Sequence, residues 1–184
     1  MNPVLRGLAR LVLGEYEIYR IYARDLTTKT RATPAPGVVL GSIGSEDEIQ
    51  GSPDPELRRQ SIYAGPGAQG FGAWIEGALA GVCWYWSSER YRRDRNFWPL
   101  EDGDVKLVQI AVGAAHQGRG VGQALMAHAE HEMAQQGSRR AYARIWHSNT
   151  PSIRLFERAG WRPIAQVTIL KPLGLKLRQE RRLK

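Results

Sequence analysis

Three glycines stand at alternate positions in Gln117-Gly118-Arg119-Gly120-Val121-Gly122, directly before a run that reads as helix. Glycine gives up side-chain packing and carries the largest entropy cost on folding, so this cluster points to a place where something approaches the bare backbone. A helix N-terminus offers unpaired N–H groups and a partial positive charge, and its usual guest is a phosphate. A flexible turn is the plainer alternative. A nucleotide-hydrolysing P-loop needs Lys-Ser or Lys-Thr after its last glycine, whereas Gly122 is followed by Gln123 and Ala124. A dinucleotide fingerprint needs a third glycine, but counting from Gly118 or Gly120 finds Gln123 or Leu125 there. What remains is Gln117-x-x-Gly120-x-Gly122 behind the apolar run "VKLVQIAV".

The elements that must hold this loop read as one mixed α/β domain over residues 1–184. With 42% hydrophobic and 24% charged residues the chain is globular in composition, and 184 residues suffice for a proper core. No run approaches the roughly 18 apolar residues of a membrane span. The N-terminal "PVLRGLARLVLG" is too short and too Arg-interrupted for a secretory signal, so a cytoplasmic location is expected. The single cysteine, Cys83, excludes an internal disulfide and a cysteine-rich zinc site.

Residues 1–14 form an expected amphipathic helix, with Leu5, Leu8, Leu11 and Val12 on one face. Tyr16–Leu26 alternates as a strand, and the loop 27–44 holds a short extended piece at Val38–Leu40. Ser45 with Glu48 forms a capping box, and Asp54-Pro55 starts a second helix running to about Tyr63. Phe71–Ile75 and Ala78–Trp86 form a hairpin turning at Glu76-Gly77. Ser87–Gly103 is a polar and aromatic connection. Val105–Val112 is a strand, Val121–Gln136 a helix closed by Gly137, Arg140–Trp146 a strand, and Ser152–Ala159 a helix closed by Gly160. Trp161–Leu170 and Leu173–Arg178 end the chain as an antiparallel pair.

At the loop and at "NTPSIRLFERAGW", Asn149–Trp161, the sequence resembles the GCN5-related N-acetyltransferase (GNAT) family. That family's pyrophosphate loop reads Gln or Arg-x-x-Gly-x-Gly or Ala, and a later Asn precedes a helix ending in Gly and an aromatic residue. The resemblance covers Val105–Trp161. It implies a GNAT-like fold: a mixed central sheet of six to seven strands flanked by helices, with the N-terminal helix as an addition. It also implies an acyl-CoA-dependent N-acyltransferase that moves acetyl from acetyl-CoA directly to a primary amine of a small molecule or amino sugar, without a metal. By resemblance, the amides of Gln117, Gly118, Arg119, Gly120, Val121 and Gly122 would bind the pyrophosphate of coenzyme A. The main chain of Ile110, Ala111 and Val112 would pair with the pantetheine arm like an added strand. The arm would lie in a wedge between the strands ending at Val112 and Trp146. Asn149 would hold the arm's far amide or the helix start.

Two departures from the family bear on the chemistry. Many relatives protonate the leaving thiolate from a Tyr within a Leu-Tyr pair, and this chain has Leu155-Phe156. Phe156 has no proton to give; it would pack against the thioester or the arm, with water as the acid. The family's base positions, two or four residues before Ile110, hold Val108 and Lys106. Asp104 shares their face by alternation and is the candidate base, with Glu101, Asp102, Glu76 and His147 as further carboxylate or imidazole candidates. The aromatic and arginine cluster from Trp84 to Trp98 suits a ring-bearing anion, or else is core with solvated arginines.

The net charge of +8 is concentrated at the C-terminus, where Lys171, Lys176, Arg178, Arg181, Arg182 and Lys184 against Glu180 supply +5. Residues 179–184 read as a basic tail. Two other functions stay open: a CoA-binding module with little turnover, and a basic adaptor for nucleic acid or a membrane surface. The leading reading expects acetyl-CoA and an amine acceptor as partners, no nucleic acid, and a monomer or homodimer.

Overall fold

The computed structural model describes residues 15–26, 36–172 and 175–183. The expected N-terminal helix and residues 27–35 of the following loop lie outside them. The chain divides into two compact units, residues 24–143 and the two ends, residues 1–23 with 144–184.

In the central unit, β2 (Val38–Ser42), β3 (Ala68–Ile75), β4 (Ala78–Ser87), β5 (Asp104–Val112) and the first half of β6 (Arg140–Trp146) neighbour one another in that order. β1 (Glu15–Asp25) precedes them in the chain. The β3–β4 hairpin turns at Glu76 and Gly77, both with positive φ, which suits the right-handed twist of the two strands. β4 and β5 are antiparallel, and β5 and β6 parallel. The parallel pair is joined by α4 (Val121–Gln135), which follows a 3-10 turn at Ala114–His116.

Helix α1 (Glu46–Gln50) starts where the capping box predicts: Glu48 Oε1 accepts from the N–H of Ser45 at 3.1 Å. Helix α2 (Pro55–Arg58) starts at Asp54, whose carboxylate accepts from Glu56 N–H, and continues as a 3-10 helix, Arg59–Tyr63. Ile49 and Leu57 of these helices pack on Leu79, Val82 and Trp84 of the sheet, with Val108 and Ala111 beside them. Gly70 makes room on β3: a Cβ there would sit 2.6 Å from the Trp84 indole. On the opposite face, Phe71 meets His128 of α4 edge-on. Cys83, fully buried, has its thiol pushed upward by that burial, which leaves it inert filler.

The polar connection contains a helix that sequence reasoning missed, α3 (Ser88–Asp94). Its Arg90 is buried, stacks 4.0 Å over Trp86, and donates to the carbonyls of Ala64 and Gly65. The guanidinium holds the loop after the 3-10 helix, so the aromatic and arginine cluster is at this point structural. Arg92 is likewise engaged, with Leu100 O and Asp102.

The terminal unit pairs β1 with β7 (Arg162–Lys171), and β7 with β8 (Leu177–Arg182), both antiparallel. Eight strands are therefore present among the described residues, against the six or seven expected. β8 begins four residues later than anticipated, and residues counted as a basic tail are its core: Gln179 pairs Thr168 and Arg182 pairs Ala165. Edge strands commonly carry charge because it discourages pairing with another chain. Every β8 residue is exposed, so the strand lacks the apolar alternation that would have marked it.

Helix α5 (Thr150–Arg158) ends in a Schellman motif: Trp161 N–H donates to Phe156 O and Gly160 N–H to Glu157 O, with Gly160 at φ 81°. α4 ends the same way, through Gly137 and Ser138. Both closing glycines were legible because only glycine enters that left-handed position cheaply.

Candidate active site

β5 and the loop after it form the candidate site within the central unit. On one side, Ile110, Ala111 and Val112 pair with Cys83, Val82 and Gly81 of β4. On the other, the ladder to β6 runs from Asp104 to Leu107 and stops. The cause is local: Trp84 pairs Gln109 and Tyr85 pairs Leu107, so Val108 is an extra residue, a β-bulge that bends the strand. Within this unit the main chain from Gln109 to Val112 is thus paired on one side only.

The glycine loop follows directly. Gly118 and Gly120 have φ of 74° and 79°, and Gly120 is the N-cap of α4 with no side chain to cap it. Alternating left-handed residues turn successive N–H groups toward a common point, a concavity suited to an anion. The first amides of the helix, those of Val121, Gly122 and Gln123, have no acceptor among the described residues. A Cβ at Gly118 or Gly120 would meet nothing within 4 Å, so the space over the loop is open. Val121 is buried and anchors the helix, contributing only its backbone to that space. Arg119 is exposed. The Gln117 side chain donates from Nε2 to Val112 O at 3.0 Å and ties the loop to the strand end.

The remaining expected residues lie elsewhere. Asp104 is 5% exposed, and its carboxylate accepts from Glu101 N–H at 2.9 Å, closing the turn before β5. It precedes Val112 by eight residues, about 25 Å at the rise of a strand. That distance and that bond make it a turn-closing carboxylate. Asp102 pairs with Arg92, and Glu76 sits in the hairpin turn.

In the terminal unit, His147 is held at Ile18 O by both its backbone N–H and its ring. Asn149 caps α5, its Oδ1 accepting from Ser152 N–H at 3.2 Å. Of its two expected roles the helix start is the one occupied. Asn149→Ala should cost about 1 kcal/mol of stability, read as a lower denaturation midpoint; an unchanged midpoint would remove the cap. Phe156 is 2% exposed, enclosed by Trp161 at 5.0 Å and Tyr22 at 6.1 Å between ring centroids. An enclosed ring has no surface to offer a ligand, so Phe156 is a core residue of this unit.

Sequence reasoning missed one pair. Gln109, at the bulge, donates from Nε2 to Gln60 Oε1 of the 3-10 helix at 2.8 Å. A lone amide inside the apolar run "VKLVQIAV" was the available signal for Gln109; nothing marked Gln60. Among the described residues no group of His, Cys, Asp and Glu could hold a metal ion.

Several solved structures share the fold. A GCN5-related N-acetyltransferase from Sphaerobacter thermophilus is 16% identical with a TM-score of 0.61, over 98% of this chain and 56% of that one. The tandem GNAT protein from the clavulanic acid biosynthesis pathway is 17% identical with a TM-score of 0.62, over 95% and 60%. A GCN5-related N-acetyltransferase from Kribbella flavida is 15% identical with a TM-score of 0.55, over 92% and 63%. The chain therefore spans less than two thirds of the length of these structures. No curated protein matches it. The Acetyltransferase (GNAT) family matches residues 17–161, most of the chain and both segments that carry the motifs, and the chain belongs to that family.

Proposed function

We propose that the protein is an acetyl-CoA-dependent N-acetyltransferase acting on the primary amine of a small molecule or amino sugar. The observation that carries this is the uncapped start of α4, where glycine-built backbone leaves several amides without an acceptor beside a strand end paired on one side. Coenzyme A brings a pyrophosphate for the first feature and an amide-bearing arm for the second. An arm running back along β5 from Val112 would bring its sulfur toward the bulge, four residues and about 13 Å away.

The chemistry then needs little from side chains. A backbone N–H of β5 polarises the thioester carbonyl, the amine nitrogen attacks its carbon, and the C–S bond breaks with its electron pair going to sulfur. Water takes the amine's proton and supplies one to the thiolate, a good leaving group because a thiol has a pKa near 8.5.

Phe156 is enclosed and without a proton to give, and Asp104 closes a turn about 25 Å from Val112, which favours a second reading, a CoA-binding module with little turnover. Release of free thiol from acetyl-CoA in the presence of amines and amino sugars separates the two. Turnover with at least one acceptor is the expected result. Thermal stabilisation by acetyl-CoA without thiol release would favour the module, and neither response would end both readings.

A further inference from the structure

The side-chain amides of Gln60 and Gln109 form a chain whose direction is dictated from one end. Gln60 Nε2 donates to Glu56 O at 2.7 Å, and a carbonyl can only accept. Gln60 must therefore present Oε1 to its other neighbour, which makes Gln109 Nε2 the donor in the 2.8 Å bond between them. Among the described residues, no donor reaches Gln109 Oε1. Gln60 is buried and Gln109 half-buried, so one end of the chain is locked and the other is open. The bulge sets where that oxygen stands. By inserting Val108, it brings Val108 and Gln109 to the same face of the sheet, beside Ala111, where α1 and α2 pack.

We propose that Gln109 is a catalytic residue whose Oε1 accepts an N–H of the acceptor amine during attack on the thioester, and that Gln60 is its positioning residue. This rests on the acetyl-transfer reading above. An attacking amine must aim its lone pair at the carbonyl carbon, and an acceptor on one N–H fixes that aim. As the N–C bond forms, the nitrogen becomes positive and its hydrogen bond to Oε1 becomes charge-assisted, stronger in the transition state than before it. The C–S bond then breaks with its pair on sulfur. An amide oxygen is not a base, so the nitrogen's proton passes to water and the thiolate takes one from water. The acceptor must accordingly arrive as an uncharged amine bearing at least one N–H.

Gln109→Leu, Gln60→Leu and the double variant test this, with acetyl-CoA and ethylamine as the probe and thiol release as the readout. The double variant removes both partners together, avoiding a stranded buried amide. Expected is a fall in kcat/KM for ethylamine of about 10²–10³-fold in Gln109→Leu, the usual effect of losing one transition-state hydrogen bond. Gln60→Leu should lose about tenfold, mainly in kcat, and the double variant should match Gln109→Leu alone, because interacting residues are not additive. Thermal stabilisation by acetyl-CoA should be unchanged in all three. Activity of Gln109→Leu within threefold of the natural protein, with acetyl-CoA still bound, would overturn the proposal while sparing the acetyl-transfer reading. Fully additive losses would overturn the role of Gln60. A natural protein that neither binds acetyl-CoA nor releases thiol would overturn the acetyl-transfer reading and this proposal with it.

Discussion

Gly120→Val should abolish the thermal stabilisation of the protein by acetyl-CoA while leaving the chain folded. A ligand held at 100 times its Kd adds about 2.7 kcal/mol to a protein that binds it only when folded. Gly120 lies at φ 79°, where a residue with a Cβ is strained by about 1–2 kcal/mol. Its added side chain would point into open space, so no core contact is lost. That same open space is where a pyrophosphate would approach the amides of α4, and a branched side chain there blocks it. Gly137→Val supplies the control. Gly137 sits at the other end of α4, also left-handed at φ 87° and also with nothing within 4 Å. It carries the strain without the loop and should keep the full stabilisation. Equal stabilisation of Gly120→Val and the natural protein would remove the phosphate-loop reading.

Phe156→Ala should lower stability by about 3–5 kcal/mol, the usual cost of deleting an enclosed aromatic ring. The ring is 2% exposed and its neighbours Tyr22 and Trp161 are themselves buried, so the cavity left behind has no route to collapse through solvent-facing groups. Phe156→Tyr should cost less, about 1–3 kcal/mol for a hydroxyl without a partner, and should change turnover by under tenfold. Denaturant unfolding followed by thiol release reads both. A Phe156→Ala protein as stable as the natural one would mean that the ring is not enclosed. A hundredfold gain in turnover on Phe156→Tyr would show that an acid step limits the natural protein.

What could be read in advance had a local physical signature. The capping box at Ser45, the Asp54-Pro55 start, the Glu76-Gly77 turn and the closing glycines 137 and 160 each follow from a few neighbouring residues. Features missed or misplaced depend on distant partners. α3 was hidden because Arg90 looks solvent-seeking, yet its charge is satisfied by carbonyls 25 and 26 residues away. Gln60 and Gln109 are 49 residues apart and meet only because a bulge turns one toward the other. Asp104 lies on a plausible strand face but at the wrong end, since alternation fixes a face and says nothing of position along it.

The pairing of β1 with β7 sets a timetable for synthesis. Glu17 and Lys171, bonded at 2.7 Å, are 154 residues apart, and Tyr22 and Glu157 are 135 apart. At ribosomal rates β1 waits on the order of 10–30 s for β7. During that wait the five neighbouring strands between residues 24 and 143 can complete every registered pair they share. β1 neighbours β6 on one side, so over that interval it is its β7 edge, from Glu15 to Ala23, that stays unpaired. That edge is an open strand edge for as long as β7 is missing, and yield in a cell should follow how well it is shielded until β7 emerges.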